Sequence, residues 1–178
     1  MANYMRLFYY GIALFVFVLD LVTKKIVEAQ LEISDQISVI GNFFLITSYR
    51  NRGAAFSILQ DQRFFFIAIT VIIAVGIIWY MQSIKDKNRA ILLTGLGFVL
   101  GGATGNFLDR ALTGEVVDFL QFNFGSYTFP IFNIADSAIT VGVVLIIIDT
   151  LLHSKDENKS LNGGEDKENN GHEQRTIS

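Results

Sequence analysis

The sequence predicts an all-α polytopic membrane protein, with four transmembrane helices and a small β-hairpin outside the bilayer. Three observations carry this. Hydrophobic residues make up 51% of the 178-residue chain, too many for an ordinary soluble domain, and they fall in long blocks. Four blocks, at about 7–27, 64–82, 90–108 and 134–152, are each near the length a helix needs to cross a hydrocarbon core. Between the first two, Ile37 and Val39 and then Phe43, Leu45, Thr47 and Tyr49 alternate around Gly41-Asn42, a strand–turn–strand pattern.

In chain order, Met1–Arg6 is a short polar start to the first block. A basic start and a short apolar run also suit a cleaved signal peptide, but no small-x-small cleavage site follows and three more spans do. The block is therefore a helix, with Asp20 and Lys24 near its far end. Their i,i+4 spacing puts them on one face, as a snorkelling interfacial ion pair or as part of a site. Residues 28–63 are too polar to span. They hold the β-rich region, about 36–60, and the stretch YRNRGAAFSIL. There Asn51 followed by Gly53 signals a turn, and Ala54-Ala55 leave the backbone bare, as an ordinary loop or as an edge for an extended peptide. The second span is uncharged, and the turn Ser83–Arg89 carries Lys85, Lys87 and Arg89. In the third, Gly97, Gly101 and Gly105 recur every fourth residue, a bare stripe for close helix packing. Past the only proline, Pro130, Asn133-x-x-Asp136 forms a capping pair that opens the fourth span. Residues 1–153 thus form a membrane-embedded domain. Residues 154–178, nearly devoid of apolar side chains, form a disordered hydrophilic tail.

Composition narrows the chemistry. There is no Cys, and the only histidines, His153 and His172, lie at the end of the last span and in the tail. Thiol nucleophiles, Cys-ligated zinc and a Ser-His triad in the apolar body are thereby set aside. Net charge is −3, most of the excess acid lies after His153, and no basic stripe for nucleic acid is present. Carboxylates, Lys24 and the arginines remain.

These groups cluster. Four spans put the end of the first, the start of the second, the end of the third and the start of the fourth on one membrane face. Asp20 and Lys24, then Asn51, then Asn106, Asp109 and Arg110, then Asp118, then Asn133 and Asp136 all fall there. Polar and ionisable groups at a membrane boundary are costly unless paired or hydrated, which marks them as functional candidates. Asp118 in VVDF and Asp136 in FNIAD are each hemmed in by apolar residues. Two carboxylates sharing a site cannot both ionise easily, so such a pair can activate a water while protonating a departing amine. Asp136, at a helix start, is expected to ionise first, leaving Asp118 to hold the proton. A counted positive-inside rule is a tie, but the dense Ser83–Arg89 turn favours cytoplasmic termini and an outer site.

At these residues the chain resembles the lipoprotein signal peptidases, or signal peptidase II. The motifs are DLVTK at 20–24, RNRGAAF at 50–56, GGATGNFLDR at 101–110, VVDF at 116–119 and FNIAD at 132–136, and the resemblance covers about residues 10–152. It implies an aspartic endopeptidase of the bacterial plasma membrane that cuts prolipoproteins on the amino side of a diacylglyceryl-modified cysteine. Its catalytic pair falls on Asp118 and Asp136. Further functional positions match Asp20, Lys24, Asn51, Gly53, Asn106, Asp109, Arg110, Asn133 and Ala135. The implied fold adds a small extracytoplasmic β-rich cradle between helices 1 and 2 and a short helix or loop between helices 3 and 4. The partners implied are lipid-modified prolipoproteins and membrane lipids, with no cofactor, metal, nucleic acid or obligate protein partner. Rival readings are an ion-coupled transporter, disfavoured because the carboxylates gather at one interface, a non-catalytic membrane scaffold, and a Ser-Lys protease using Lys24. The last suffers because Asp20 keeps Lys24 charged.

Overall fold

The structure, a computed structural model, describes residues 2–53, 61–84 and 88–173, with side chains for 6–53, 61–84 and 88–154. In chain order it contains α1 (Ala2–Gln30), β1 (Gln36–Ile40), β2 (Phe44–Asn51), α2 (Arg63–Ser83), α3 (Ala90–Leu112), β3 (Val116–Phe124), β4 (Tyr127–Thr128) and α4 (Ile134–Glu173). Four helices are long and apolar enough to cross a membrane, over Arg6–Gln30, Arg63–Ser83, Ala90–Leu112 and Ile134–Ser154. The predicted spans fall inside these bounds.

The bundle is built around α3, the most enclosed span, which packs against α1, α2 and α4. Its glycines make this possible. A Cβ on Gly97, Gly101 or Gly105 would strike α1, at the carbonyl of Tyr9, the carbonyl of Ala13 and the carboxylate of Asp20. Gly95 and Gly102 do the same toward α4, against the carbonyls of Gly142 and Ala135. With apolar lipid on the outside there is little hydrophobic drive between spans, and close backbone contact supplies the dispersion energy instead. The lipid-facing surfaces of α1, α2 and α4 are correspondingly rich in exposed Leu, Ile, Val and Phe.

At one end of the bundle sits a four-stranded antiparallel sheet of order β1-β2-β3-β4. The hairpin β1–β2 was expected. The connection between α3 and α4 is not the short helix or loop expected there, because β3 pairs along β2 and extends the hairpin. Successive side chains of this strand point to opposite faces, so Val117 and Phe119 pack with Val27 under the sheet while Asp118 faces the other way. A register shift between Ile46 and Tyr49 places Tyr49 opposite Asp118 and Asn51 opposite Val116. Gly125, at φ 65°, supplies the turn into β4.

The helix α4 continues past its apolar span to Glu173, where composition predicts an unstructured tail. Propagating an existing helix needs no new nucleus, so polar composition alone does not end it. The bare backbone expected at Ala54-Ala55, the end of the predicted cradle, and Lys85 and Lys87 lie outside the described residues.

Candidate active site

The segment after β4 returns alongside β3. Phe132 exchanges backbone hydrogen bonds with Leu120 (2.8 and 3.1 Å) and accepts one from Phe119 N–H at 3.0 Å. This carries the start of α4 to the strand that bears Asp118. Asn133 then caps α4 reciprocally with Asp136. The Asp136 N–H donates to Asn133 Oδ1 at 3.0 Å, and the Asn133 N–H donates to Asp136 Oδ2 at 3.2 Å. The Asn133 amide also donates from Nδ2 to Asp118 Oδ1 at 2.7 Å. One asparagine thus holds both candidate carboxylates.

Asp118 has a second donor, Asn51 Nδ2, 2.9 Å from Oδ2. The Asn51 amide is itself set by the turn that follows, since its Oδ1 accepts the Gly53 N–H at 2.9 Å. Gly53 in turn offers its carbonyl to Arg110 Nη2 at 3.0 Å. The Arg110 guanidinium lies over the Phe66 ring, 4.6 Å from its centroid, a cation–π contact that orients it toward the cavity. Asp136 Oδ1 accepts from Asn106 Nδ2 at 2.8 Å.

Beneath the pair lies an ion cluster. Lys24 Nζ sits 2.7 Å from Asp20 Oδ2, 2.8 Å from Asp109 Oδ2 and 3.0 Å from Asn106 Oδ1. Asp20 Oδ1 accepts the Ala135 N–H at 2.9 Å, and Asp109 Oδ2 accepts the Val117 N–H at 3.4 Å. With Asp20 at 0% and Lys24 at 1% exposure, the pair is buried and does not snorkel. It ties α1 to α3, to β3 and to the first turn of α4. Lys24, a three-proton donor, is engaged by Asp20, Asp109 and Asn106 and is not among the residues lining the cavity above.

Asp118 and Asp136 both line one cavity of about 1000 Å³, together with Asn51, Asn106 and Arg110. Its remaining wall is largely apolar, from Val116, Phe129, Phe132, Ile139 and Val141. Burial pushes the Asp118 carboxyl up to about 7, and the neighbouring Asp136 carboxylate adds to the rise. The amide donors of Asn51 and Asn133 and the Lys24 charge act the other way without cancelling it. A carboxyl protonated near neutrality beside a second carboxylate can donate one proton while its partner accepts another.

All eleven residues singled out from the sequence therefore meet in this cluster. Sequence reasoning did not pick out Phe66, Tyr49 or the cavity wall from Tyr127 to Phe132, because ring-over-guanidinium stacking and strand pairing leave no short spacing signal. It also overlooked Asp149, a buried acid at the other end of the bundle. Asp149 pairs with Arg89 at 2.7 Å and accepts the Leu92 N–H at 3.3 Å. Ionisable groups are thus not confined to one face.

Comparisons with known proteins bear on the family and the fold. The family model described as Signal peptidase (SPase) II matches residues 12–152. A curated "Lipoprotein signal peptidase" of Bacillus pumilus (strain SAFR-032) is 47% identical over 154 residues, covering 86% of this chain and 99% of the relative. A solved structure described as a bacterial membrane enzyme at 2.3 Å superimposes with a TM-score of 0.78 at 44% identity, over 83% of this chain and 90% of the other. A second, at 1.9 Å, gives 0.73 at 45% identity over 80% and 92%. The four spans and these matches define a multi-pass membrane peptidase. The chain belongs to the signal peptidase II family, aspartic endopeptidases that process lipoprotein signal peptides.

Proposed function

We propose that this peptidase removes the signal peptide from prolipoproteins on the amino side of a diacylglyceryl-modified cysteine, using a water held between Asp118 and Asp136. The observation that carries the reading is the pair itself: two carboxyl groups on one cavity, bridged by Asn133, one of them protonated near neutrality. Asp136 takes a proton from the water as its oxygen adds to the scissile carbonyl carbon. Asp118 gives its proton to the carbonyl oxygen. In the second half, the tetrahedral species loses a hydroxyl proton to Asp118, Asp136 passes its proton to the amide nitrogen, and the C–N bond breaks. The cysteine amine departs, and both carboxyls return to their starting states. Arg110 and the amides of Asn51, Asn106 and Asn133 supply positioning and charge compensation. The apolar wall suits a substrate carrying acyl chains.

In this reading the protein sits in a bacterial plasma membrane with both termini cytoplasmic and the sheet and cavity at the outer face. Membrane lipids and lipid-modified prolipoproteins are its partners. Single-turnover cleavage of a diacylglyceryl-modified prolipoprotein by wild type, Asp118→Asn and Asp136→Asn tests it. Each folded variant is expected to lose activity by at least about 10³-fold, because Asn is nearly isosteric but transfers no proton in these steps. Normal cleavage by either folded variant overturns the mechanism.

A further inference from the structure

Resting on the two-carboxylate reading above, we infer that Lys24 is a positioning residue that acts on the reaction through the Asn106 amide, holding its N–H against Asp136. The geometry leaves little choice. An ammonium only donates, so the Asn106 atom 3.0 Å from Lys24 Nζ is the oxygen. The opposite atom is then the nitrogen, 2.8 Å from Asp136 Oδ1. Turning the amide over would set its NH2 against the Lys24 ammonium and its oxygen against a carboxylate. Asn133 Nδ2 also reaches Asn106 Oδ1, at 3.1 Å, but that group is neutral and shared with Asp118 Oδ1 and the Val117 carbonyl. The charged donor is the stronger lock, and it polarises the amide, strengthening the N–H on its far side. Lys24 thus fixes where Asp136 points, although Lys24 does not line the cavity.

A merely structural Lys24 and a positioning Lys24 differ in how their loss combines with the loss of Asn106. In single-turnover and steady-state cleavage, Lys24→Met and Asn106→Leu are each expected to lower kcat at least about tenfold, with KM within about threefold. Asn106→Leu/Lys24→Met is expected to be no slower than the slower single variant, because the two act on one bond. If the losses multiply in the double variant, Lys24 acts independently of Asn106 and the inference is wrong. Lys24→Met leaves Asp20 and Asp109 uncompensated, so if it fails to fold the cycle is run on an Asp109→Asn background. Asn106→Asp supplies an independent arm. It keeps an acceptor for Lys24 and for Asn133 but presents no N–H to Asp136. Its kcat is expected to fall as far as that of Asn106→Leu, and wild-type kcat in this variant overturns the inference. Asp136→Asn is the reference for the underlying mechanism. If it cleaves normally, the two-carboxylate reading has failed. If it is inert while Asn106→Asp is fully active, only the role assigned to Lys24 has failed.

Discussion

Asp118 shows how one residue's surroundings become a functional property. Strand pairing fixes it on the cavity-facing side of β3 at 1% exposure, and the return of the chain through Phe132 sets a second carboxylate beside it. Desolvation is the larger cause of its raised pKa and Asp136 the smaller. Since the proposed chemistry needs Asp118 protonated, kcat/KM is expected to fall on the alkaline side with an apparent pKa near 7. That value belongs to the coupled pair, and a profile flat to pH 9 would remove Asp118 as proton donor. The same shift has a stability consequence. The folded-state pKa lies above the ordinary value of 3.8, so between 3.8 and about 7 the folded state holds more protons than the unfolded one. The stabilisation this gives is complete below the lower value and is lost as pH rises through the upper one. At ~1.4 kcal/mol per pH unit the swing is on the order of 4 kcal/mol. Thermal midpoints of the wild type are expected to decline from pH 5 to pH 8, and Asp118→Asn to lose most of that slope.

At the scale of elements, the helix α4 carries a polar anchor at each end of its span. Its start, at the cavity end, is capped by Asn133 and by Asp20 through the Ala135 N–H. Near the far end of the span, Asp149 reaches across to α3, accepts the Leu92 N–H in that helix's first turn and binds Arg89. Asp149 therefore acts as an N-cap supplied by a neighbouring helix. Replacing it by Leu leaves the Leu92 N–H without its acceptor and Arg89 without its charge partner. A loss of about 2–4 kcal/mol is expected, read as a lower thermal midpoint in detergent micelles, with cleavage per folded molecule unchanged. An unchanged midpoint would mean that lipid headgroups or water replace the carboxylate at no cost. These contacts also show what a sequence can reveal. The Asn133–Asp136 cap was legible because both partners lie within one turn. The site residues were legible because span ends converge on one face. Asp149 was hidden because its partner Arg89 lies sixty residues away, and a lone acid in IIIDTLL carries no pattern. The strand β3 did alternate, as FLQFNF, but its pairing with β2 bridges two spans and no local turn announces it.

On the scale of the whole molecule, the two ends of the bundle are chemically distinct. One bears the sheet, the cavity and the cluster from Asp20 to Asp136. The other bears the clasp of Arg89 and Asp149, with Arg6 donating to the Ile84 carbonyl at 3.3 Å. The charge count did not decide which end faces outward, and the cations on the cavity side are engaged there, Lys25 and Arg50 with Glu28 and Arg52 with Glu115. Arg110 holds Gly53, Lys24 fills the ion cluster, and Arg63 donates to the Ala111 carbonyl at 2.6 Å. Arg6 and Arg89 at the other end are engaged as well, so discounting fixed cations does not break the tie. The chain contains no Cys, so single introduced cysteines report sidedness without background. Ser126, exposed in the β3–β4 turn, and Ser83, exposed at the end of α2, mark the two ends. In intact cells a membrane-impermeant maleimide is expected to label Ser126→Cys and to reach Ser83→Cys only after permeabilisation. The reverse pattern would put the cavity on the cytoplasmic side, where a substrate delivered to the outer leaflet could not reach it. The outer-face reading would then fail even if both aspartates proved essential.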